Sequence, residues 1–300
     1  MSFSLTELFE MMTEADLYTE YKGVYLPKEL HSQESLKYYE DFTFRQDDIL
    51  IVTYPKSGTT WMQEIVPLVQ SEGDLTPVLK IPNWDRVPWL EETRAHVLDL
   101  ENRASPRLLA THYHYNMMPA SFFIIKPKVI YVMRNPKDVL TSSYHYYGMA
   151  SYLVDPGTMD EFLQKFINGK VMFGSWFDHV KGWLKAQDLN HIMYISYEEM
   201  ILDLKDSVSK ISNFMGKSLG CEVIEKIANH CVFKNMKQNK MSNYSLVPAE
   251  FMDQKKSEFL RKGTSGDWRN HLTVTQAEYI DAVYKEKMKN FKDIFLGDLN

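Results

Sequence analysis

The chain has 300 residues, 44% of them hydrophobic, which suffices for one large α/β domain or two small ones. Its formal net charge of −6 argues against a general binder of nucleic acid or of anionic membranes. The longest apolar runs are well short of the ~18 residues that a membrane-spanning helix needs, and no linker-like tract divides the sequence, so we expect a single domain over residues 1–300.

The first segment, Met1–Asp16, is acidic and lacks the basic start and the apolar run of a secretory signal. The two cysteines, Cys221 and Cys231, stand ten residues apart on predicted helical ground, and we expect neither a disulfide nor a metal site from them. These features predict a protein of a reducing compartment, the cytoplasm.

Short apolar runs then alternate with helix-like stretches. The predicted strands are Ile49–Thr53, Arg107–Thr111, Lys128–Met133 and His191–Ser196. The predicted helices are Thr60–Gln70, Pro136–Tyr147, Met159–Asn168, Phe173–Ala186, Leu204–Met215, Cys221–Asn229 and Thr275–Lys289. This alternation predicts an α/β fold, in which a central parallel β-sheet is flanked by helices.

The turn after the first predicted strand carries a specific motif. Residues 53–61 read Thr-Tyr-Pro-Lys-Ser-Gly-Thr-Thr-Trp and lead from the strand into the first helix. In such a turn the backbone N–H groups converge, and the helix dipole adds partial positive charge. Lys56 and three hydroxyl side chains complete a P-loop-like strand–loop–helix. The motif predicts a site for phosphate or for an anion of similar shape.

The motif alone leaves other interpretations open. A nucleotide-triphosphatase P-loop, as in a kinase, has glycine before its lysine, whereas here the lysine comes first and Pro55 occupies the turn. An ordinary strand-to-helix turn with an exposed lysine is the other alternative.

Two further basic motifs follow. Arg134 comes directly after a predicted strand and beside a helix start at Asn135-Pro136, and with Ser142 it would suit a phosphate. Residues 261–263, Arg-Lys-Gly, place two cations in a glycine-containing loop. The alternatives are a structural ion pair for Arg134 and a solvated charged loop for 261–263. The Lys56 turn, His112 and Arg134 all follow strand ends, and ligands of parallel sheets bind at that edge.

Together these motifs resemble the signature regions of the vertebrate cytosolic sulfotransferases. The likeness covers nearly the whole chain and is closer to the hydroxysteroid and amine-type branches than to the phenol-type branch. The segments that carry it are 54–61, 84–91, 134–138, 174–179, 240–244 and 261–263.

The resemblance implies transfer of a sulfuryl group from 3′-phosphoadenosine 5′-phosphosulfate (PAPS) to a small lipophilic hydroxyl-bearing acceptor, such as a steroid, with no metal. The donor leaves as 3′-phosphoadenosine 5′-phosphate (PAP). Residues 56–61 would hold the phosphosulfate, Arg134, Ser142 and the 261–263 loop the 3′-phosphate, and an aromatic cluster the adenine. The implied cofactor-binding residues are Lys56, Ser57, Gly58, Thr59, Thr60, Trp61, Arg134, Ser142, Tyr197, Cys231, Phe233, Arg261, Lys262 and Gly263. The family often has Thr or Ser where this chain has Cys231.

An alcohol attacks only when a base removes its proton, and a neutral histidine is the usual side chain for that task. His112 follows a predicted strand beside the anion motifs, and the resemblance implies that it is the catalytic base. His114 would lie on the same side of an extended chain and is the main rival. Lys56 and Ser142 are the other implied catalytic residues, with Lys56 neutralising charge on the leaving phosphate.

Aromatic residues supply the predicted acceptor pocket, since such pockets are mostly apolar. The implied pocket residues are Trp84, Trp89, Tyr146, Tyr152, Tyr244 and Phe251. The phenol-type branch usually has lysine where this chain has Ala110, which disfavours phenol specialisation. Core packing is the alternative role for each aromatic side chain.

Residues 269–278 resemble the short dimer segment of the family and predict a weak homodimer. We expect no nucleic-acid or membrane partner. The same chemistry on phenols or amines, and a non-catalytic carrier of nucleotide or lipophile on the same scaffold, are the alternative functions.

Overall fold

The structure is a computed structural model that describes residues 12–186 and 190–291. Of the domain expected over residues 1–300, the segments 1–11, 187–189 and 292–300 lie outside the described residues, and so does most of the acidic N-terminal stretch. Within the described ranges, every helix falls short of the length and apolar character of a membrane-spanning segment.

Six strands in the described ranges form two sheets. The strands are β1 (Tyr18–Tyr21), β2 (Val24–Pro27), β3 (Ile49–Thr53), β4 (Leu108–Thr111), β5 (Lys128–Met133) and β6 (Ile192–Ser196). β1 and β2 form an antiparallel hairpin. The other four form a central sheet in the order β4-β3-β5-β6, and each neighbouring pair is parallel. The predicted α/β fold is therefore confirmed.

The helices in the described ranges surround this sheet. They are α1 (Glu14–Leu17), α2 (Gln33–Asp41), α3 (Thr59–Gln70), α4 (Thr76–Lys80), α5 (Asn83–Arg86), α6 (Thr93–Val97), α7 (Ala120–Ile125), α8 (Pro136–Met149), α9 (Met159–Ile167), α10 (Trp176–Lys185), α11 (Tyr197–Leu202), α12 (Leu204–Met215), α13 (Cys221–His230), α14 (Phe233–Gln238) and α15 (Val274–Lys287). Short 3-10 helices span Leu100–Asn102, Tyr115–Met117 and Asp267–Asn270.

The predicted helix over Phe173–Ala186 begins later than expected, at Trp176. Phe173 and Gly174 have positive φ values of 61° and 70°, which a right-handed helix excludes. Ser175 then caps the helix, because its side chain accepts a hydrogen bond from the Asp178 N–H at 3.2 Å. The short hairpin and the helices of four to six residues escaped prediction because they contain too few residues for a periodic pattern.

The central sheet positions the site. All residues of β3 are buried, so this strand lies inside the core with helices on both faces. Because the four strands are parallel, their carboxyl ends share one edge. The residues that follow these ends are Tyr54 after β3, His112 after β4, Arg134 after β5 and Tyr197 after β6.

Candidate active site

The turn between β3 and α3 has the backbone of an anion-binding loop. Lys56 and Gly58 have positive φ values of 67° and 114°, and Gly58 is the residue that caps α3. A Cβ atom on Gly58 would lie 3.1 Å from the ring of Tyr197, so both the conformation and the space favour glycine there. The Ser57 side chain is buried, and its Oγ has no hydrogen-bond partner among the described residues. The loop thus holds an unused donor, as a site for an oxyanion requires.

The ammonium group of Lys56 lies against two aromatic rings. Its Nζ is 4.1 Å from the ring centroid of Tyr146 and 4.2 Å from that of Phe259. Burial, with smaller contributions from the charges of Arg134 and Arg261, lowers the pKa of Lys56 to about 7. The three cations therefore repel one another across the cavity, and an anion placed among them relieves that repulsion.

Arg134, at the end of β5, connects two loops. Its guanidinium donates to the carbonyl of Lys56 at 2.9 Å and to that of Thr264 at 3.2 Å. The group also stacks on Tyr197 at 4.2 Å. Within the described residues these partners are carbonyl oxygens, which argues against a structural ion pair for Arg134. Its buried Nε–H has no partner within the described residues and remains available to an anion.

The loop 261–263 is anchored in the fold through Arg261, while the Lys262 side chain is exposed. The Arg261 guanidinium pairs with Asp267 at 2.6 Å. The Asp138 carboxylate at the start of α8 accepts from the backbone N–H groups of Gly266 and Trp268 at 2.7 and 3.1 Å. These contacts hold the loop beside the helix that carries Ser142.

Gly263 is the point of closest approach in this loop. It has a φ of 67°, and a Cβ atom there would lie 2.0 Å from the ring of Phe233. The rings of Trp61 and Tyr197 are also in contact, with centroids 5.3 Å apart. The Trp61 indole donates to the backbone carbonyl of Cys231 at 2.8 Å. Cys231 thus contributes its carbonyl, while its thiol is buried outside the cavity.

His112 is held by hydrogen bonds on both ring nitrogens. Nδ1 lies 2.8 Å from the carbonyl oxygen of Thr53, which can only accept, so Nδ1 carries the proton. Nε2 is therefore unprotonated, and it accepts a hydrogen bond from the Trp89 indole at 3.0 Å. The backbone N–H of His112 donates to the Glu91 carboxylate at 2.7 Å.

The surroundings of His112 keep it neutral. Burial lowers its pKa to about 4, with minor contributions from the charges of His31 and Lys56, although the bond to Thr53 opposes this shift. The rival, His114, lies apart from the cavity, and its Nε2 bonds the Phe173 carbonyl at 2.7 Å. Of the two histidines, only His112 lines the cavity.

One cavity of about 470 Å³ joins these parts, a volume in the range of small-molecule sites. Apart from Ser57 and Cys231, the predicted site residues all line it. The predicted residues on its wall are Lys56, Gly58, Thr59, Thr60, Trp61, Trp84, Trp89, His112, Arg134, Ser142, Tyr146, Tyr152, Tyr197, Phe233, Tyr244, Phe251, Arg261, Lys262 and Gly263. No group of metal-ligating side chains is present within the described residues.

The structure adds residues that the motifs did not indicate. Phe259 packs on Tyr244, with ring centroids 3.8 Å apart, and contacts Lys56 from a loop distant in sequence. Glu92 also lines the cavity, and burial together with the charge of Glu91 raises its pKa to about 8 against the opposing charge of Arg94. The sequence offered one signal for Glu92, which is its position directly after the motif 84–91. It offered no comparable signal for Phe259.

A family model described as a sulfotransferase domain matches residues 46–292. The chain belongs to the sulfotransferase family. Mouse Sulfotransferase 2B1 is 48% identical over 272 residues, which cover 90% of this chain and 80% of the relative. The guinea pig 3-alpha-hydroxysteroid sulfotransferase is 40% identical over 272 residues, covering 90% and 94% of the two chains. The crystal structure of mouse sulfotransferase SULT7A1 complexed with PAP is 31% identical with a TM-score of 0.76, covering 92% and 96%.

This sulfotransferase uses PAPS as its sulfuryl donor. The cavity suits a nucleotide with an anionic group at each end, because Lys56, Arg134, Arg261 and Lys262 line it. In addition, the buried Nε–H of Arg134 has no partner among the described residues. A side chain at Gly58 or Gly263 would press against the cavity-lining rings of Tyr197 and Phe233, respectively. When bound, PAPS supplies the activated sulfuryl group.

Proposed function

We propose that this sulfotransferase transfers the sulfuryl group to the hydroxyl of a small lipophilic acceptor of steroid-like shape, with His112 as the base. The observation that carries the proposal is the unprotonated Nε2 of His112, which lies in the same cavity as the Lys56 loop. The base takes the acceptor's proton as its oxygen attacks sulfur, and the bond from sulfur to the phosphate oxygen breaks.

The chain's cations would stabilise the transferring charge. Lys56, with the N–H groups at the start of α3, would hold the phosphosulfate end, while Arg134, Ser142 and the 261–263 loop would hold the 3′-phosphate. Trp61, Tyr197 and Phe233 would contact the adenine. Catalysis would then come from positioning and from preorganised positive charge.

The rest of the cavity wall indicates which class of acceptor fits. Trp84, Trp89, Tyr152, Tyr244 and Phe251 present broad apolar surfaces that suit a flat or elongated alcohol. The name of the guinea pig relative supports a hydroxysteroid. Ala110 is buried on β4, so this chain has no lysine beside the base at that position.

An acceptor panel tests the proposal. Purified protein is incubated with labelled PAPS and with steroids, phenols and amines, in the presence and absence of a chelator. We expect label transfer to steroid alcohols that survives the chelator, and transfer that is confined to phenols or amines would overturn the acceptor assignment. Binding of PAP without any transfer would support a non-catalytic carrier instead.

The base assignment is tested separately. His112→Ala should retain PAP affinity and lose transfer by at least ~100-fold, the lower range of a general base. His114→Ala is the matched control, because its ring bonds a backbone carbonyl outside the cavity. Transfer by His112→Ala near the original rate would remove His112 from its role.

We also propose that the protein is cytoplasmic and forms a weak homodimer through residues 269–278. Val274, in the first turn of α15, is 74% exposed, as a contact residue of that segment would be. Val274→Glu should shift sedimentation toward the monomer. Leu202→Glu, which alters an equally exposed residue of α11, should leave the oligomeric state unchanged. Equal sedimentation of both variants and the parent protein would contradict the interface.

A further inference from the structure

The indole N–H of Trp89 is hydrogen-bonded to Nε2 of His112, the atom that would take the acceptor's proton in the proposed reaction. Its Nε1 donates to Nε2 of His112 at 3.0 Å, with the two rings tilted by 38°. Because Nδ1 carries the proton and bonds the Thr53 carbonyl, Nε2 has the only free lone pair on the imidazole. While the indole bond persists, neither water nor an alcohol can use that lone pair.

The arrangement is built into the fold. Trp89 follows α5 and lies beside β4, where its backbone pairs with Ala110 in an isolated bridge. The N–H of Leu90 and the N–H of Ala110 make the two bonds of this bridge, with lengths of 2.9 and 2.8 Å. The backbone on either side of the indole is therefore fixed, and only rotation of the side chain can release His112. The side chain lies at the wall of the cavity, where an acceptor can displace it.

We infer that Trp89 is a positioning residue that caps the catalytic base until an acceptor enters, and so suppresses transfer of the sulfuryl group to water. The inference rests on the proposed role of His112. In the suppressed side reaction a water oxygen attacks sulfur, the bond from sulfur to the phosphate oxygen breaks, and Nε2 takes the proton of the water. The products are sulfate and PAP.

An acceptor alcohol would exchange partners with the indole. Its hydroxyl replaces the indole N–H on Nε2, and its apolar body offsets the lost indole bond by covering the aromatic wall. Water has no apolar body and gains less from the exchange. The cap therefore discriminates by size and hydrophobicity, beyond what the cavity shape provides.

Sulfate release from PAPS without an acceptor is the direct test. Trp89→Phe keeps an aromatic ring and removes the indole N–H, and we expect acceptor-independent hydrolysis to rise about fivefold to tenfold, the factor that one hydrogen bond carries. Trp183→Phe is the control, because the Trp183 indole also makes a hydrogen bond of 3.0 Å, to the Tyr113 carbonyl, and lies outside the cavity. It should leave hydrolysis unchanged. Hydrolysis that is unchanged in Trp89→Phe, or that rises equally in both variants, would overturn the cap.

A second readout uses the parent protein and no turnover. In protein labelled with ¹⁵N-tryptophan and loaded with PAP, the indole N–H resonance of Trp89, identified by its absence in Trp89→Phe, should shift when a steroid alcohol is added. An unmoved resonance at saturating alcohol would contradict displacement. His112→Ala separates the two proposals. If His112→Ala retains transfer, the base assignment fails. If His112→Ala loses transfer but Trp89→Phe behaves as the parent protein does, only the proposed cap fails.

Discussion

The guanidinium of Arg134 donates a hydrogen bond to the backbone carbonyl of Lys56, with 2.9 Å between Nη1 and the oxygen. These residues lie at the ends of neighbouring parallel strands, β5 and β3. The same side chain reaches the carbonyl of Thr264 at 3.2 Å. One arginine therefore sets the relative position of both loops that are proposed to bind the two charged ends of PAPS.

Replacing this arginine should separate the loops. Arg134→Lys keeps the charge but cannot span two carbonyls, because lysine lacks the planar fork. We expect PAP affinity to fall roughly 10- to 150-fold, which corresponds to the loss of about 1.5–3 kcal/mol for one charge-assisted hydrogen bond. Calorimetric titration measures the Kd for PAP. The control is Lys37→Ala, which removes one partner of an exposed ion pair. An unchanged Kd would show that Arg134 does not contact the nucleotide.

Gly263→Ala should weaken nucleotide binding more than it weakens the fold. Its Cβ atom would lie 2.0 Å from Phe233, so the ring must move. Gly23→Ala is a matched control, because Gly23 has a φ of 83° and nothing within 4 Å of the added atom. Both variants carry the ~1 kcal/mol cost of a left-handed alanine, measured by thermal unfolding. Only Gly263→Ala should lose PAP affinity, and equal affinities in the two variants would refute a role for this contact.

PAP affinity should depend on pH above neutrality. Burial and the neighbouring arginines lower the pKa of Lys56 to about 7, so the free protein loses this charge as the pH rises past 7. Because an anion prefers the protonated form, the pKa of Lys56 is higher in the complex. The Kd should therefore rise above pH 7, by at most tenfold per pH unit. Lys56→Met should bind weakly at every pH, and a parent Kd that is constant from pH 7 to 9 would contradict the shift.

Glu92 should impose a separate pH dependence on the acceptor. Burial raises the pKa of its carboxyl to about 8, so the group is neutral at pH 7 and becomes charged above pH 8. A charged carboxylate in an aromatic cavity disfavours an apolar alcohol. At saturating PAPS the acceptor KM should rise between about pH 7 and 9 in the parent protein, since roughly one pH unit on either side of the pKa of Glu92 sets the window. Glu92→Gln should remove that rise in KM. The control Glu225→Gln, which alters an exposed ion pair, should retain it. A KM that also rises with pH in Glu92→Gln would exclude Glu92 as the cause.

Local chemistry explains why much of the architecture was predictable. The apolar runs of β3 and β5 and the lysine–serine–glycine turn between β3 and α3 act over a few residues, so the sequence indicates them directly. Parallel strands bring their carboxyl ends to one edge, which placed Lys56, His112 and Arg134 together before any coordinates. The helix expected from Phe173 began late because two left-handed residues precede Ser175, a backbone choice that periodicity does not record.

The sequence by itself determined the fold class, the anion motifs and the candidate base, since each depends on neighbours along the chain. Only the tertiary structure decided which atoms meet: the Trp89 indole on His112, Phe259 against Lys56, and the Cys231 carbonyl under Trp61. These contacts join residues 23 to 203 positions apart, where the burial of apolar surface selects the partners and no local pattern encodes them.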